Sequence, residues 1–307
     1  MKILVTGGAG FIGSHLCEVL VENGHDVTCF DNFSNSSVEN LNKIKDRIRI
    51  IKGDCNKKDN FNKLDKYETI FHYAAIVGVE KTQENALEVF EDIEGVKNIL
   101  EFAKKSGTKK IIYSSSSEIY GNPYEHPQKE DGIIDPVQPY SAVKLAGELL
   151  METYYKKFGL PTCSLRFFNV YGPRQAADSY GFVIGKFIRQ VLNNESPTVY
   201  GDGHQTRTFT YVKDNVSLAI AAMEKKETVG KVINIGTDKE ISILGLAHKI
   251  IDICGSTVKP TFIERKEYDI VDKRCPDTNR MISVLGHKPK ISLDEGLIKT
   301  INWYKNY

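Results

Sequence analysis

The sequence predicts an α/β protein built on a doubly wound parallel sheet with a smaller C-terminal α/β region, and three observations carry that reading. Short apolar runs rich in β-branched residues alternate with helical stretches from Ile3 to Phe167, the pattern of right-handed strand–helix–strand crossovers. A glycine-rich turn, Gly7-Gly8-Ala9-Gly10-Phe11-Ile12-Gly13, joins the first run to the first helix. After Gly172-Pro173 the alternation loosens, which marks a second region.

Ile3–Thr6 is the first expected strand, and Ile12, Leu16, Val19 and Leu20 then recur at helical spacing until Asn23-Gly24 stops them. Strands are expected at Val27–Phe30, Ile48–Ile51, Thr69–Ala74, Lys110–Ser114 and Thr162–Phe167, with long helices at Val89–Ser106 and Tyr140–Phe158. Beyond Pro173 the pattern gives helices at Phe182–Leu192, Asn215–Lys225, Ser242–Ile253 and Leu293–Tyr304. Short strands are expected there at Thr198–Tyr200, Val232–Ile235 and Thr261–Ile263. The expected division is 1–170 and 171–307, with some segments interleaved.

The chain has 307 residues, 41 Lys+Arg against 40 Asp+Glu and 41% hydrophobic residues. That composition is ordinary for a folded α/β chain and lacks the basic excess of a nucleic-acid binder. Cys17, Cys29, Cys55, Cys163, Cys254 and Cys275 form no CxxC or zinc-ribbon spacing, so no metal or redox motif is expected. With no signal-peptide pattern and no long apolar run, the expected setting is the cytoplasm, away from membranes, with reduced thiols.

Gly7, Gly10 and Gly13 sit between a strand and a helix, where glycine lets the backbone turn tightly and approach a pyrophosphate at the helix N-terminus. Asp31 ends the second strand, where a carboxylate accepts ribose hydroxyls and repels a 2′-phosphate. The expected cofactor is therefore NAD rather than NADP. Asp54, after the third strand, is placed to meet the adenine edge. These residues predict a Rossmann-type nucleotide site; the plain alternative is a glycine turn kept for packing alone.

Tyr140 and Lys144 lie four apart on one helical face, and Ser114-Ser115-Ser116-Ser117 follows the fifth strand, where open α/β sheets place ligands. A tyrosine titrates near 10, so a base active at neutral pH needs roughly 4 kcal/mol of phenolate stabilisation. A neighbouring ammonium and an oxidised nicotinamide ring can supply it. The plain alternative is an exposed helix face.

With these residues in view, the sequence resembles an extended short-chain dehydrogenase/reductase of the nucleotide-sugar epimerase/dehydratase kind. The matching stretches are TGGAGFIGSHL (Thr6–Leu16), Asp31-Asn32, Gly53-Asp54, SSSSEIYG (Ser114–Gly121), PYSAVK (Pro139–Lys144), RFFNVYGPR (Arg166–Arg174) and VYGDGHQTRTF (Val199–Phe209). The resemblance implies Tyr140 as base, Lys144 as its partner and ribose anchor, and Ser116 as a donor to the sugar 4-hydroxyl. It adds Phe11, Ile12, Asn32, Cys55, Ala74, Ala75 and Ser114 to the cofactor contacts. For the nucleotide sugar it implies Asn169, Val183, Tyr200, Gln205, Arg207 and Arg274, in a homodimer joined through the Val89–Ala103 stripe and the Leu145–Tyr155 face.

Such enzymes pass through a 4-keto sugar, from which epimerisation, 4,6-dehydration and decarboxylation branch. Glu118 bears on the branch, because Ser-Ser-Glu resembles GDP-mannose dehydratases and UDP-glucuronate decarboxylases, whereas simple 4-epimerases usually lack the acid. Its plain alternative is a solvated acid at a strand end. Glucose 4,6-dehydratases pair that Glu with a preceding Asp, which is Ser117 here. His126-Pro127-Gln128 and Asp272–Asp277 look similar to decarboxylases, but their SPASP stretch is Ala74–Gly78 and their GR is Gly181-Phe182. Asp92 stands where the family commonly has Asn. The expectation is a UDP-sugar 4-epimerase, with dehydratase or decarboxylase as the alternative and a non-catalytic NAD-binding sensor as the alternative of another class.

Overall fold

The computed structural model describes residues 1–176, 182–265 and 271–306. In chain order the first half contains β1 (Lys2–Thr6), α1 (Phe11–Glu22), β2 (Asp26–Asp31), β3 (Arg49–Lys52), β4 (Thr69–His72), α2 (Val79–Glu84) and α3 (Ala86–Ser106). Then come β5 (Lys110–Ser116), α4 (Pro139–Phe158), β6 (Thr162–Phe167), β7 (Val170–Tyr171), α5 (Val183–Leu192), β8 (Thr198–Tyr200), β9 (Thr206–Thr208) and β10 (Thr210–Tyr211). The chain closes with α6 (Val212–Glu224), β11 (Lys231–Ile235), β12 (Glu240–Ser242), α7 (Ile243–Cys254), β13 (Thr261–Ile263), β14 (Lys273–Arg274), α8 (Asn279–Leu285) and α9 (Leu293–Lys305).

The main sheet has seven strands in the order β3-β2-β1-β4-β5-β6-β11, all parallel. Both faces are covered, so the central strands are buried along their length, with apolar middles such as Ile3–Val5, Ile70-Phe71 and Ile111-Ile112, and successive residues serve opposite cores. Ile3 and Val5 pack with Leu16, Leu20, Val216 and Ala219 of α1 and α6. Leu4, between them, packs with Ile70, Ile111, Val96, Ile99 and Met151 on the α3/α4 face. Each such fully buried aliphatic side chain contributes about 1.5–3 kcal/mol. A separate core joins α5, α7 and α9 through Phe187, Leu246, Ile250 and Leu297. Strand order reverses between β1 and β4, which opens a crevice at the carboxyl ends of the strands.

The fold class is the expected one, with instructive differences of detail. Val232–Ile235, read as a short strand of the C-terminal region, is β11 (Lys231–Ile235), which pairs with β6 and is the seventh strand of the main sheet. Ser115 and Ser116 belong to β5 itself, paired with Arg166 and Phe167 of β6, instead of following the strand. The Val89–Ala103 stripe is spent inside the chain, since Val89, Val96, Ile99, Leu100 and Ala103 are all buried. The small sheets β10-β7, β12-β9-β14 and β13-β8 lie outside the main one.

Candidate active site

The crevice is a single cleft of about 1060 Å³. At one end β1 runs into the glycine turn. Gly7 has φ +67°, and a Cβ there would lie 2.7 Å from Ala74 N; on Gly13 it would lie 2.1 Å from Gly7 O. Gly10 caps α1 without a side-chain hydrogen bond, so the N–H groups of the first turn have no capping acceptor, and their residues Phe11, Ile12 and Gly13 line the cleft. That is the cradle a pyrophosphate needs.

Asp31, at the end of β2, lines the cleft and is nearly buried. Its Oδ1 accepts from Phe33 N (2.9 Å) and Ser36 Oγ (2.8 Å), and its Oδ2 accepts from Ala9 N (2.9 Å). The carboxylate thus ties the glycine turn to the loop after β2, and Oδ2 keeps acceptor capacity for a ribose hydroxyl. Asn32, Asp54, Cys55, Ala74 and Ala75 also line the cleft. Asp54 Oδ1 accepts from Asn56 N (2.9 Å), Ala74 N donates to Thr6 Oγ1 (3.2 Å), and burial pushes the Cys55 thiol up, keeping it protonated. This end fits a dinucleotide. Among the described residues no group of three or more His, Cys, Asp or Glu gathers to hold a metal ion.

The other end is built by β5 and α4. Pro139 opens α4 and Gln138 and Ser141 form a reciprocal capping box, which fixes Tyr140 and Lys144 in the first turns. Lys144 Nζ donates to Ser114 O at 2.7 Å and to Ser114 Oγ at 3.4 Å. It lies 5.5 Å from the Tyr140 ring centroid and 5.1 Å from that of Tyr113. Ser114 Oγ in turn donates to His72 O, and Ser116 Oγ accepts from Glu118 N at 3.1 Å.

Burial pushes the Tyr140 phenol above its usual value, the charge of Glu118 pushes the same way, a hydrogen bond with Ser116 opposes them, and Asp92 adds to the rise. Burial lowers Lys144 to about 8, while Asp92 and Glu148 hold it up against that effect. Lys144 is therefore still mainly an ammonium at pH 7, and Tyr140 rests as a phenol. Asp92 itself is raised by burial, with the hydrogen bond from Ile76 N (2.7 Å) acting the other way. Asn56 Nδ2 approaches its second oxygen at 3.5 Å.

Glu118 lines the cleft, and its Oε1 is ion-paired with Arg274 Nη1. Arg274 is buried and reaches the cleft only through that pair. Asn169 lines the cleft and donates to Thr208 O at 3.0 Å. Val183, Tyr200, Gln205 and Arg207 are not among the described residues that line it. Gln205 Nε2 donates to Tyr200 O (2.9 Å), the Tyr200 ring stands 5.2 Å from Lys186 Nζ, and Arg207 donates to Thr206 O and Val271 O. Gly181 lies outside the described residues.

Sequence reasoning missed Glu148, Arg166 and Arg174. Glu148 follows Lys144 by one helical turn and binds Arg166 Nε (2.9 Å) and Nη2 (2.8 Å), a bidentate pair beneath the serine strand. The four-residue spacing was the available signal. Arg174, at φ +71°, lines the cleft and bonds Ser14 and Glu18 of α1. Trp303 and Tyr304 also border the cleft, and no local pattern announces them.

A glycine cradle, a strand-end carboxylate and a Ser–Tyr–Lys group on one parallel sheet define a nucleotide-dependent short-chain oxidoreductase. The chain belongs to the NAD dependent epimerase/dehydratase family, whose model matches residues 3–236, and its cofactor is NAD. It is 37% identical over 316 residues to UDP-N-acetyl-alpha-D-glucosaminuronate decarboxylase of Bacillus cytotoxicus, covering 99% of this chain and 98% of that one. It is 36% identical to a putative UDP-glucose 4-epimerase of Methanocaldococcus jannaschii, with 99% and 98% covered. The crystal structure of UDP-glucose 4-epimerase with UDP-glucose from Thermotoga maritima superposes with TM-score 0.94 at 34% identity, covering 100% of this chain and 99% of that one.

Proposed function

We propose that this chain epimerises a UDP-sugar at C4. Residues 1–170, joined by α6 and β11, hold NAD, and the remainder of 171–307 holds the nucleotide sugar. The observation that carries the reading is Ser116, Tyr140 and Lys144 gathered at one end of the cleft, with Glu118 beside them already held by Arg274. Tyr140 takes the proton of the sugar 4-hydroxyl, and Ser116 Oγ donates a hydrogen bond to the same oxygen. NAD, held by the glycine turn and Asp31, would supply the hydride acceptor and donor for C4. Burial holds the Tyr140 proton tightly, so the nearby Lys144 ammonium must lower its affinity together with the positive charge of the oxidised cofactor. For epimerisation the 4-keto sugar turns and is reduced on its other face, which needs no further acid.

One observation favours a second reading, decarboxylation of a UDP-hexuronate. Arg274 brings a guanidinium up to Glu118, and both decarboxylase-like stretches, at Gln128 and at Cys275, pack against each other. Incubation with UDP-glucose, UDP-glucuronate, UDP-GlcNAc and GDP-mannose, followed by mass spectrometry, separates the readings. Unchanged mass with a new isomer supports epimerisation; loss of CO2 supports decarboxylation and loss of water dehydration. Stoichiometric release of NADH would discard all three, and binding of NAD with no turnover would leave a sensor.

We also propose a cytoplasmic homodimer. No helix among the described residues is long and apolar enough to cross a membrane. Since Val89, Val96, Ile99, Leu100 and Ala103 turn inward and are buried within the chain, the contact falls on the outward residues Leu87, Phe90 and Leu149, which are 86%, 44% and 55% exposed on α3 and α4. A monomer mass by light scattering would overturn it.

A further inference from the structure

Two stretches set apart in the sequence, His126-Pro127-Gln128 and Asp272–Asp277, meet in the fold. Gln128 N donates to Cys275 O at 2.8 Å, and its side-chain Oε1 accepts from Cys275 N at 2.6 Å. The Gln128 carbonyl accepts from Asp277 N at 2.7 Å and from Asn234 Nδ2 at 3.0 Å, while Nε2 donates to Glu125 O at 2.9 Å. Every polar group of this buried residue is engaged, mostly with the tail that carries Arg274.

Arg274 immediately precedes the gripped Cys275. Its own strand, β14, is only two residues long and rests on β9 through Lys273↔Thr206 and Arg274↔Arg207. So short a strand restrains a long side chain weakly. Yet the guanidinium is sharply placed: Nη1 on Glu118, Nη2 on Gly121 O at 3.3 Å, and Nε buried with no partner. The backbone one residue further on is the one that Gln128 holds.

The support continues behind Gln128. Asn234 Oδ1 accepts from Tyr120 OH (2.7 Å), which accepts from Arg166 Nη1 (2.9 Å), and Arg166 is clamped by Glu148. Glu148 also accepts from Ser115 Oγ, next to Ser116 on β5. The bonds that begin at the neighbour of Arg274 thus return to the strand that leads into Glu118. A buried network satisfied in this way holds one arrangement.

We propose that Gln128 is a positioning residue for the site: by holding the backbone at Cys275 it sets the Arg274 guanidinium on Glu118 and fixes the charge that the sugar meets beyond C4. The assignment of the charge to the sugar rests on the function proposed above; the grip on Arg274 does not. Gln128→Met keeps the side-chain length and removes the acceptor for Cys275 N. On the UDP-sugar that wild type turns over, it is expected to lower kcat about threefold to tenfold, the worth of one such hydrogen bond. KM and NAD content should stay near wild type. On an Arg274→Gln background the same change is expected to do nothing further, because its effect passes through Arg274. Losses that multiply independently would overturn the proposal. A second cycle reads the grip without turnover: Gln128→Met and Glu118→Gln should be non-additive in thermal unfolding, and additivity would overturn it. If wild type processes no nucleotide sugar, the functional reading fails while this unfolding cycle still decides on Gln128. Tyr120→Phe cuts the same support further back and replaces Gln128→Met in both cycles if that variant does not fold.

Discussion

At the dinucleotide end of the cleft, Gly7, Asp31 and Ala74 stand at or just past the carboxyl ends of adjacent strands of one sheet. At the proposed sugar end, Ser116 and Glu118 come from β5 and the turn after it, Asn169 from the connection to β7, and Arg274 from a two-residue strand in another sheet. The first end is placed by topology: once the parallel sheet forms, its switch point is where it must be. The second is placed by side-chain bonds between distant segments, such as Gln128 to Cys275 and Arg166 to Glu148. Loss of one contact should therefore leave the first end where it is, while at the second it should reach the groups bonded next in line.

The largest effect is expected where the two ends meet. Tyr140→Phe removes the proton acceptor without a cavity and should cost 10²–10⁴-fold in kcat, with NAD still retained at the wild-type level after gel filtration. Near-normal turnover would place the base elsewhere. Glu118→Gln comes next as a test of the sugar end. For a 4-epimerase it should cost less than about tenfold, or 1.4 kcal/mol, with no deuterium at C5 after reaction in heavy water. A loss of 10²–10⁴-fold would mean an acid–base role and a different branch.

Asp31→Asn sharpens the dinucleotide end. Removing the carboxylate should narrow the preference for NAD over NADP by about tenfold, a charge repulsion near 1.4 kcal/mol, as measured by competitive binding. Equal affinities in the wild type would contradict the placement of the ribose at β2. The smallest effect is a shift in pH dependence. Lys144, lowered to about 8 by burial, is an ammonium below that value and loses its charge above it. Turnover should accordingly be sustained below pH 8 and fall as pH rises through it. Asp92 is among the charges that hold Lys144 up, so Asp92→Asn should move that falling limb to lower pH. A kcat–pH profile that coincides with wild type would remove Asp92 from the account.

The same division explains what could be read from sequence. Thr162–Phe167 emerged with its observed ends, because an apolar run between clear stops leaves little choice. Gly7, Asp31, Tyr140 and Lys144 were legible because each lies beside a strand end or helix start that local pattern reveals. Val170–Tyr171, Thr206–Thr208 and Lys273–Arg274 were not, since each is a polar or two-residue stretch held by pairing with a distant segment, whereas the equally short Thr198–Tyr200 and Thr261–Ile263 carry an apolar centre and were read. The strand at Lys231–Ile235 was visible, but its place beside β6 was not, because strand order depends on crossovers and not on composition. Likewise Arg274 could be marked as a candidate, while its pairing with Glu118 depends on a contact between distant parts of the chain.

The late arrival of β11 has a consequence for how the protein is made. Strand β6 is complete at Phe167, but its outer edge is covered only when Lys231–Ile235 has been synthesised. At about 5–20 residues per second, the ribosome leaves that edge open for roughly 3–14 s. During this interval β6 offers unpaired backbone groups to any neighbouring chain. Nascent chains stalled before residue 231 should therefore aggregate, while those carried past Ile235 should remain in solution.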